Sequence, residues 1–251
     1  MVRFIAACAV TLACLSPAAA QDKRVALVIG NAAYTHAAPM KTALNDASDI
    51  GAALSRMGFA VTRVNDATQD GMNKAIDAFR DRVKSADVAV VFYAGHAIQR
   101  DGMNWLIPVD GKLDTVAGAT AAAVNLDRVT AALDNVGQFG VVLLDASRDN
   151  PFPVGKDKRP PARGARPAAQ APSPQKDLLL VFATSAGRKT IDGEGRNSPF
   201  TAALLKHIEM PGQEITLLTR HLRDEVAAAT GGKQIPAHYA IVSGDRYLMP
   251  R

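Results

Sequence analysis

The sequence predicts an α/β fold in which a mostly parallel sheet is covered by helices on both faces. Two observations carry this expectation. Four continuous apolar runs rich in β-branched residues, at 24–30, 87–93, 139–144 and 178–183, have the pattern of strands buried on both faces. Segments with apolar residues at helical spacing alternate with them, as a covered parallel sheet requires.

Taken in order, the run at 24–30 ends in Gly30, and the segment 41–57 places Leu44, Ala47, Ile50, Ala53, Leu54 and Met57 on one helical face before Gly58 stops it. A short strand is expected at 59–64 and a helix at 69–83 with Met72, Ile76 and Phe79 on its apolar side. The strand at 87–93 runs into Ala94-Gly95-His96. A brief strand at 104–109 follows a turn at Asp101-Gly102, and 126–133 is helical. The strand at 139–144 ends at Asp145. After 178–183 come helices at 198–209 and 214–230 and a last strand at 246–249. No internal repeat is evident.

With 251 residues, 48% apolar and 21% charged, the chain has the composition of a globular protein and excludes collagen, coiled coil and wholesale disorder. Its +5 charge does not point to nucleic acid. The segment 151–176 alone carries +5 and holds seven of the 14 Pro, with no aromatic residue beyond Phe152 to stack bases. Such a composition reads as a solvated linker at 153–176 within a single domain spanning 22–251.

Residues 1–20 read as a secretory signal: Arg3, an apolar run of 12 residues at 4–15, Pro17, and Ala18-Ala19-Ala20 before Gln21. The run falls short of the ~20 residues of a membrane-spanning helix. The expectation is therefore an exported protein, periplasmic or secreted, with no stable membrane insertion. A lipid anchor at Cys14 is the competing reading, disfavoured by the lead-in Thr11-Leu12-Ala13. Cys8 and Cys14 are the only cysteines, so the mature chain has no thiol for disulfides, metal sites or nucleophilic catalysis.

Chemistry in such sheets gathers at the carboxyl ends of the strands, which here deliver His96 and Asp145-Ala146-Ser147-Arg148. A His and a hydroxyl on adjacent strand ends can form a base and nucleophile pair. Composition alone favours a plainer reading, with His96 a satisfied loop histidine and Ser147 a cap. The five histidines (His36, His96, His207, His221, His238) show no metal-ligand spacing, and no phosphate-cradling Gly loop is present. No cofactor is expected.

Several blocks in order resemble the bacterial branch of the caspase and metacaspase family. They are residues 24–31 followed by Tyr34, Asn45-Asp46-Ala47, Phe92-Tyr93-Ala94-Gly95-His96, Leu106-Ile107-Pro108-Val109-Asp110 and residues 144–152, then Ala183-Thr184, residues 192–200 and residues 230–234. The resemblance implies a caspase-like three-layer sandwich, with a six-stranded, mostly parallel sheet between helices. It further implies a peptidase site whose His falls on His96 and whose Cys nucleophile falls on residue 147, here Ser147. The oxyanion-binding Gly of the family falls on Ala97. Two carboxylates that select Arg or Lys in metacaspase-like members fall on Asp46 and Asp145.

Replacing Cys by Ser is chemically severe. A thiol, with its pKa of about 8.5, is readily ionised beside a His, whereas a hydroxyl needs a tightly bonded, well-supported base during attack. A Cβ at residue 97 also narrows the backbone angles open to Gly. The resulting expectation is a pseudopeptidase that binds basic peptide segments, its own linker among the potential ligands. The alternative is an endopeptidase cleaving after Arg or Lys, either a weak Ser-His enzyme or a Cys enzyme carrying an engineered Ser. Oligomeric state, calcium dependence and the biological partner are not legible in the sequence.

Overall fold

A computed structural model describes residues 23–100, 102–112, 116–147 and 177–250. The leader read over 1–20 and the Pro-rich basic segment read over 153–176 lie outside the described residues.

Nine strands and six helices follow in chain order among the described residues: β1 (Arg24–Gly30), α1 (Ala43–Arg56), β2 (Ala60–Asn65), α2 (Gln69–Val83), β3 (Val88–Ala94), β4 (Ala97–Arg100), β5 (Met103–Leu106), α3 (Val116–Ala121), β6 (Val124–Asn125), α4 (Leu126–Ala131), β7 (Phe139–Asp145), β8 (Asp177–Phe182), α5 (Pro199–His207), α6 (Ile215–Ala229) and β9 (Ala237–Ile241). The main sheet has the order β2-β1-β3-β7-β8-β9. All its pairings are parallel except β8 with β9. This is the six-stranded, mostly parallel sheet between helices that the sequence predicts.

Burial on both faces follows from the period of two along each strand. On β1, Ala26 and Val28 enter the core shared with α1, α5 and α6, while Val25, Leu27 and Ile29 enter the core on the α2 and α4 side. On β3, Val88, Val90 and Phe92 divide from Ala89, Val91 and Tyr93 in the same way. The helices start where side chains satisfy their first N–H groups. Thr68 accepts from Gly71 N–H for α2, Ser198 from Thr201 N–H for α5 ahead of Pro199, and the Glu214 carboxylate from Thr216 and Leu217 N–H for α6.

Two differences from the sequence reading stand out. The final strand is β9 at Ala237–Ile241, antiparallel to β8, instead of 246–249. Residue 247 makes only an isolated bridge to Glu214. Half-buried Ala237 and Tyr239 and exposed His238 on the sheet edge lack the apolar run that marks a central strand. The 104–109 segment is shorter than expected, ending as β5 at Leu106, and belongs to a second, three-stranded sheet β4-β5-β6 with two strands the sequence pattern did not reveal. Among the described residues no helix is long and apolar enough to cross a membrane.

The seat of α1 on β1 requires a missing side chain at the strand end. A Cβ on Gly30 would stand 2.7 Å from Ala47 Cβ and 2.8 Å from the Ala43 carbonyl oxygen. Gly30→Ala is expected to push α1 outward and destabilise the fold by roughly 1–3 kcal/mol, read as a lowered urea midpoint. An unchanged midpoint would show that α1 shifts freely.

Candidate functional site

The site residues gather at the carboxyl edge of the parallel sheet. β3 and β7 are neighbours, with Ala94 paired to Asp145, so the turn after β3 and the turn after β7 lie side by side. Gly95 N–H donates to the Asp145 carbonyl and fastens the two turns. A Cβ on Gly95 would come within 2.6 Å of both Tyr34 and Tyr93 hydroxyls, so the chain can pass there only without a side chain.

His96 follows, partly buried and held from several sides. Its N–H donates to Tyr34 Oη at 2.7 Å, and its carbonyl accepts from Tyr93 Oη at 2.7 Å and from Ile107 N–H at 2.9 Å. Burial pushes the Tyr34 phenol up to about 12 and also raises that of Tyr93 well above its ordinary value, so both keep their protons. The His96 ring lies against the Tyr34 ring at 4.4 Å between centroids. Its Nε2 sits 2.8 Å from the Ala38 carbonyl oxygen. A carbonyl only accepts, so this contact puts the imidazole proton on Nε2 and leaves the basic lone pair on Nδ1.

Ser147 lies two residues beyond the end of β7. Its Oγ accepts from Thr190 N–H at 3.0 Å and shares a hydrogen bond with Thr190 Oγ1 at 3.0 Å. Among the described residues His96 and Ser147 share no hydrogen bond. Ala97 is the first residue of β4, buried and paired with Leu106.

The two acids occupy a separate network. Asp145 is 5% exposed and Asp46, in the first turn of α1, is 1% exposed. Asp145 Oδ2 accepts from Ser198 Oγ and, at 2.7 Å, from Thr201 Oγ1. Asp46 Oδ1 accepts from Ser198 N–H at 3.1 Å, and Thr42 and Asn197 side chains also bond to it. Burial, reinforced by the neighbouring charge of Asp46, lifts the Asp145 carboxyl to about 7. The Asp46 carboxyl is raised as well, chiefly by burial. Asp192 adds a further negative charge close enough to raise Asp145.

The loop after β8 is strapped across this edge. Arg196 grips Asp49 through Nε at 2.8 Å and a second nitrogen at 2.9 Å, Asn197 bonds the same carboxylate, and Asn45 Nδ2 donates to the Arg196 carbonyl. The ion pair holds the Asp49 carboxyl below the usual range. The structure thus sets Asp46 beside Asp145 and His96 beside the β7 end, but bonds Ser147 to Thr190 and not to the histidine. Thr190, Ser198, Thr201, Ala38 and Asp192 are site residues that the sequence reading did not name. Ser198 was visible as a helix start and Asp192 as part of a matching block, while nothing local marks Thr190 or Ala38. Among the described residues no group of three or more His, Cys, Asp or Glu side chains could hold a metal ion.

The raised Asp145 carboxyl has a consequence for stability. Its folded-state value of about 7 exceeds its ordinary 3.8, so the folded protein binds an extra proton between these limits. The associated stability is fully present below 3.8 and is lost as pH rises through 7. Denaturation midpoints should therefore be higher near pH 5.5 than near pH 8.5, and Asp145→Asn should flatten that slope. An equal slope in wild type and variant would refute the assignment.

Comparison with known proteins places this geometry. The caspase domain family model matches residues 23–245. Human mucosa-associated lymphoid tissue lymphoma translocation protein 1 is 33% identical over 91 residues, 36% of this chain and 11% of that protein. The mouse homologue matches to the same extent. The chain thus spans about a tenth of the length of these relatives. The crystal structure of caspase-1 from Spodoptera frugiperda superposes with a TM-score of 0.67 at 17% identity, covering 92% of each chain. A protein of Geobacter sulfurreducens gives 0.62 at 19% identity over 89% of this chain and 95% of its own. The fold is that of the caspases, and the chain belongs to the caspase domain family of peptidases.

Proposed function

We propose that this protein binds basic peptide segments through Asp46 and Asp145 and is a poor or inactive peptidase. The observation that carries the reading is the division of the site into two networks. The buried acids crowd their negative charge and both carboxyls are raised, a strain that an incoming guanidinium or ammonium would relieve through charge-assisted hydrogen bonds. The nucleophile position holds a hydroxyl already engaged with Thr190. An unactivated serine needs its base within reach, and a neutral backbone carbonyl behind His96 gives less support to the forming imidazolium than a carboxylate would.

One observation favours weak hydrolysis as a second reading. The Ala38 carbonyl fixes the His96 tautomer with Nδ1 as the basic nitrogen, the arrangement a base needs. Activity separates the two readings. Wild type should hydrolyse an Arg-terminated reporter no faster than His96→Ala, and a His96-dependent rate would establish the weak enzyme.

Binding is checked by anisotropy with an Arg-containing peptide against its Gln analogue. The Arg peptide should bind at least about ten-fold tighter, and Asp46→Asn or Asp145→Asn should remove the difference. Because the cation prefers ionised carboxylates, affinity should climb through pH 7 and fall toward pH 5.5. Equal affinity for both peptides would end the proposal. Ser147→Cys should gain cleavage after Arg or Lys, the tethered segment at 153–176 being the readiest substrate. That gain should disappear when His96→Ala is added.

The leader composition at 1–20 supports an exported location. Expression with the leader in a bacterial host should yield a mature chain beginning at Gln21 by intact mass, and a retained or lipidated N-terminus would contradict it.

A further inference from the structure

One strand over from Asp145 lies a cavity of about 140 Å³ lined by Thr184, Ser185, Arg188, Gly232, Lys233 and Ile235. Its polar character is one-sided. Arg188 and Lys233 bring two positive charges, and among the described residues no carboxylate lines the wall and neither cation has an ion pair. Thr184 is 1% exposed, and among the described residues its buried Oγ1 has no hydrogen-bond partner. A buried hydroxyl left unmatched is costly, and beside two cations it is matched by a ligand that accepts hydrogen bonds and carries negative charge.

The walls are held in place before any ligand arrives. Gln234 is fully buried, donating Nε2–H to the Ala183 carbonyl at 3.0 Å and accepting Ile191 N–H at 2.8 Å. Gln234 N–H donates to Thr230 Oγ1, and Ser185 Oγ donates to the Ile235 carbonyl. Gly231 and Gly232 both take positive φ where the chain turns after α6, a conformation glycine adopts without strain.

The geometry points to a carboxylate subsite that reads an acidic side chain of the same peptide whose basic side chain enters between Asp46 and Asp145, and so it rests on the reading above. Register supports the pairing of the two sites. β7 and β8 are adjacent with Leu144 opposite Phe182, so Asp145 and Thr184 leave neighbouring strands at the same edge. Strands lie about 4.8 Å apart. An extended peptide advances about 3.3–3.6 Å per residue, so an acid about two or three residues from the basic one reaches past the neighbouring strand end. The loop 184–192 connects them physically, beginning at the cavity and reaching Ser147 through Thr190.

The test is anisotropy with labelled Arg peptides carrying Glu two or three residues before or after the Arg, each against a Gln control. At least one Glu placement should bind about ten-fold or more tightly than its control. The preference should vanish in Arg188→Ala/Lys233→Ala and shrink in Thr184→Val, with circular dichroism confirming that these variants fold. Asp145→Asn should weaken Glu and Gln peptides together and keep their ratio. A ratio near one for every placement overturns the subsite. Failure of all Arg peptides to bind would instead sink the basic-segment reading. Amide NMR with N-acetylglutamate and with inorganic phosphate then decides the cavity alone. Saturable shifts at Thr184, Arg188 and Lys233 with N-acetylglutamate, absent in the double variant, sustain a carboxylate site. No saturation, or saturation by phosphate only, refutes it.

Discussion

The organisation of the site depends on the burial of two carboxylates around one serine. Ser198 caps α5 with its Oγ, donates the hydroxyl proton to Asp145 at the end of β7, and donates its N–H to Asp46 on α1. Three elements distant in sequence are thereby fixed to one another at the carboxyl edge of the sheet. Burying charge without compensation is expensive, and the hydroxyls of Ser198 and Thr201 offset only part of the cost. The remainder appears as raised carboxyl values at both positions.

The second constraint is the crossing from β3 into β4. Gly95 must lack a side chain because two buried tyrosine hydroxyls converge on it, and those hydroxyls in turn hold the His96 backbone. His96 is therefore aimed by packing and by the Ala38 carbonyl, independently of what occupies residue 147. The histidine ring bonds the Ala38 carbonyl while the Ser147 hydroxyl bonds Thr190, so the two side chains are held by different partners.

Much of this was legible in the chain and some was not, for physical reasons. Strands β1, β3, β7 and β8 announce themselves because both faces are buried and the runs are uniformly apolar. β9 does not, since an edge strand with exposed His238 and Ala240 carries little pattern, and the apolar residues near Leu248 drew the expectation instead. Strands as brief as Val124–Asn125 leave no periodicity to detect. His96, Ser147, Asp46 and Asp145 were found through ordered blocks of resemblance. Their partners were not, because Thr190 meets Ser147 across 43 residues and Ser198 meets Asp145 across 53, separations at which no local rule operates.

Asp145 and Ser147 stand two residues apart, yet the structure lets one change without the other. Asp145 is engaged by Ser198 and Thr201, and Ser147 by Thr190, with no hydrogen bond common to both. Effects of substitution add when sites share no partners and couple when they do. A change at residue 147 therefore acts first on the Thr190 loop and reaches Asp145 only indirectly, through the charge of Asp192 on that loop. Recognition of a basic side chain draws on charge and desolvation, whereas acyl transfer draws on an atom with an accessible lone pair and a base in contact with it. In this fold the buried carboxylates and residue 147 belong to different hydrogen-bond networks, so the geometry that would serve charge recognition is fixed separately from the geometry that would serve acyl transfer.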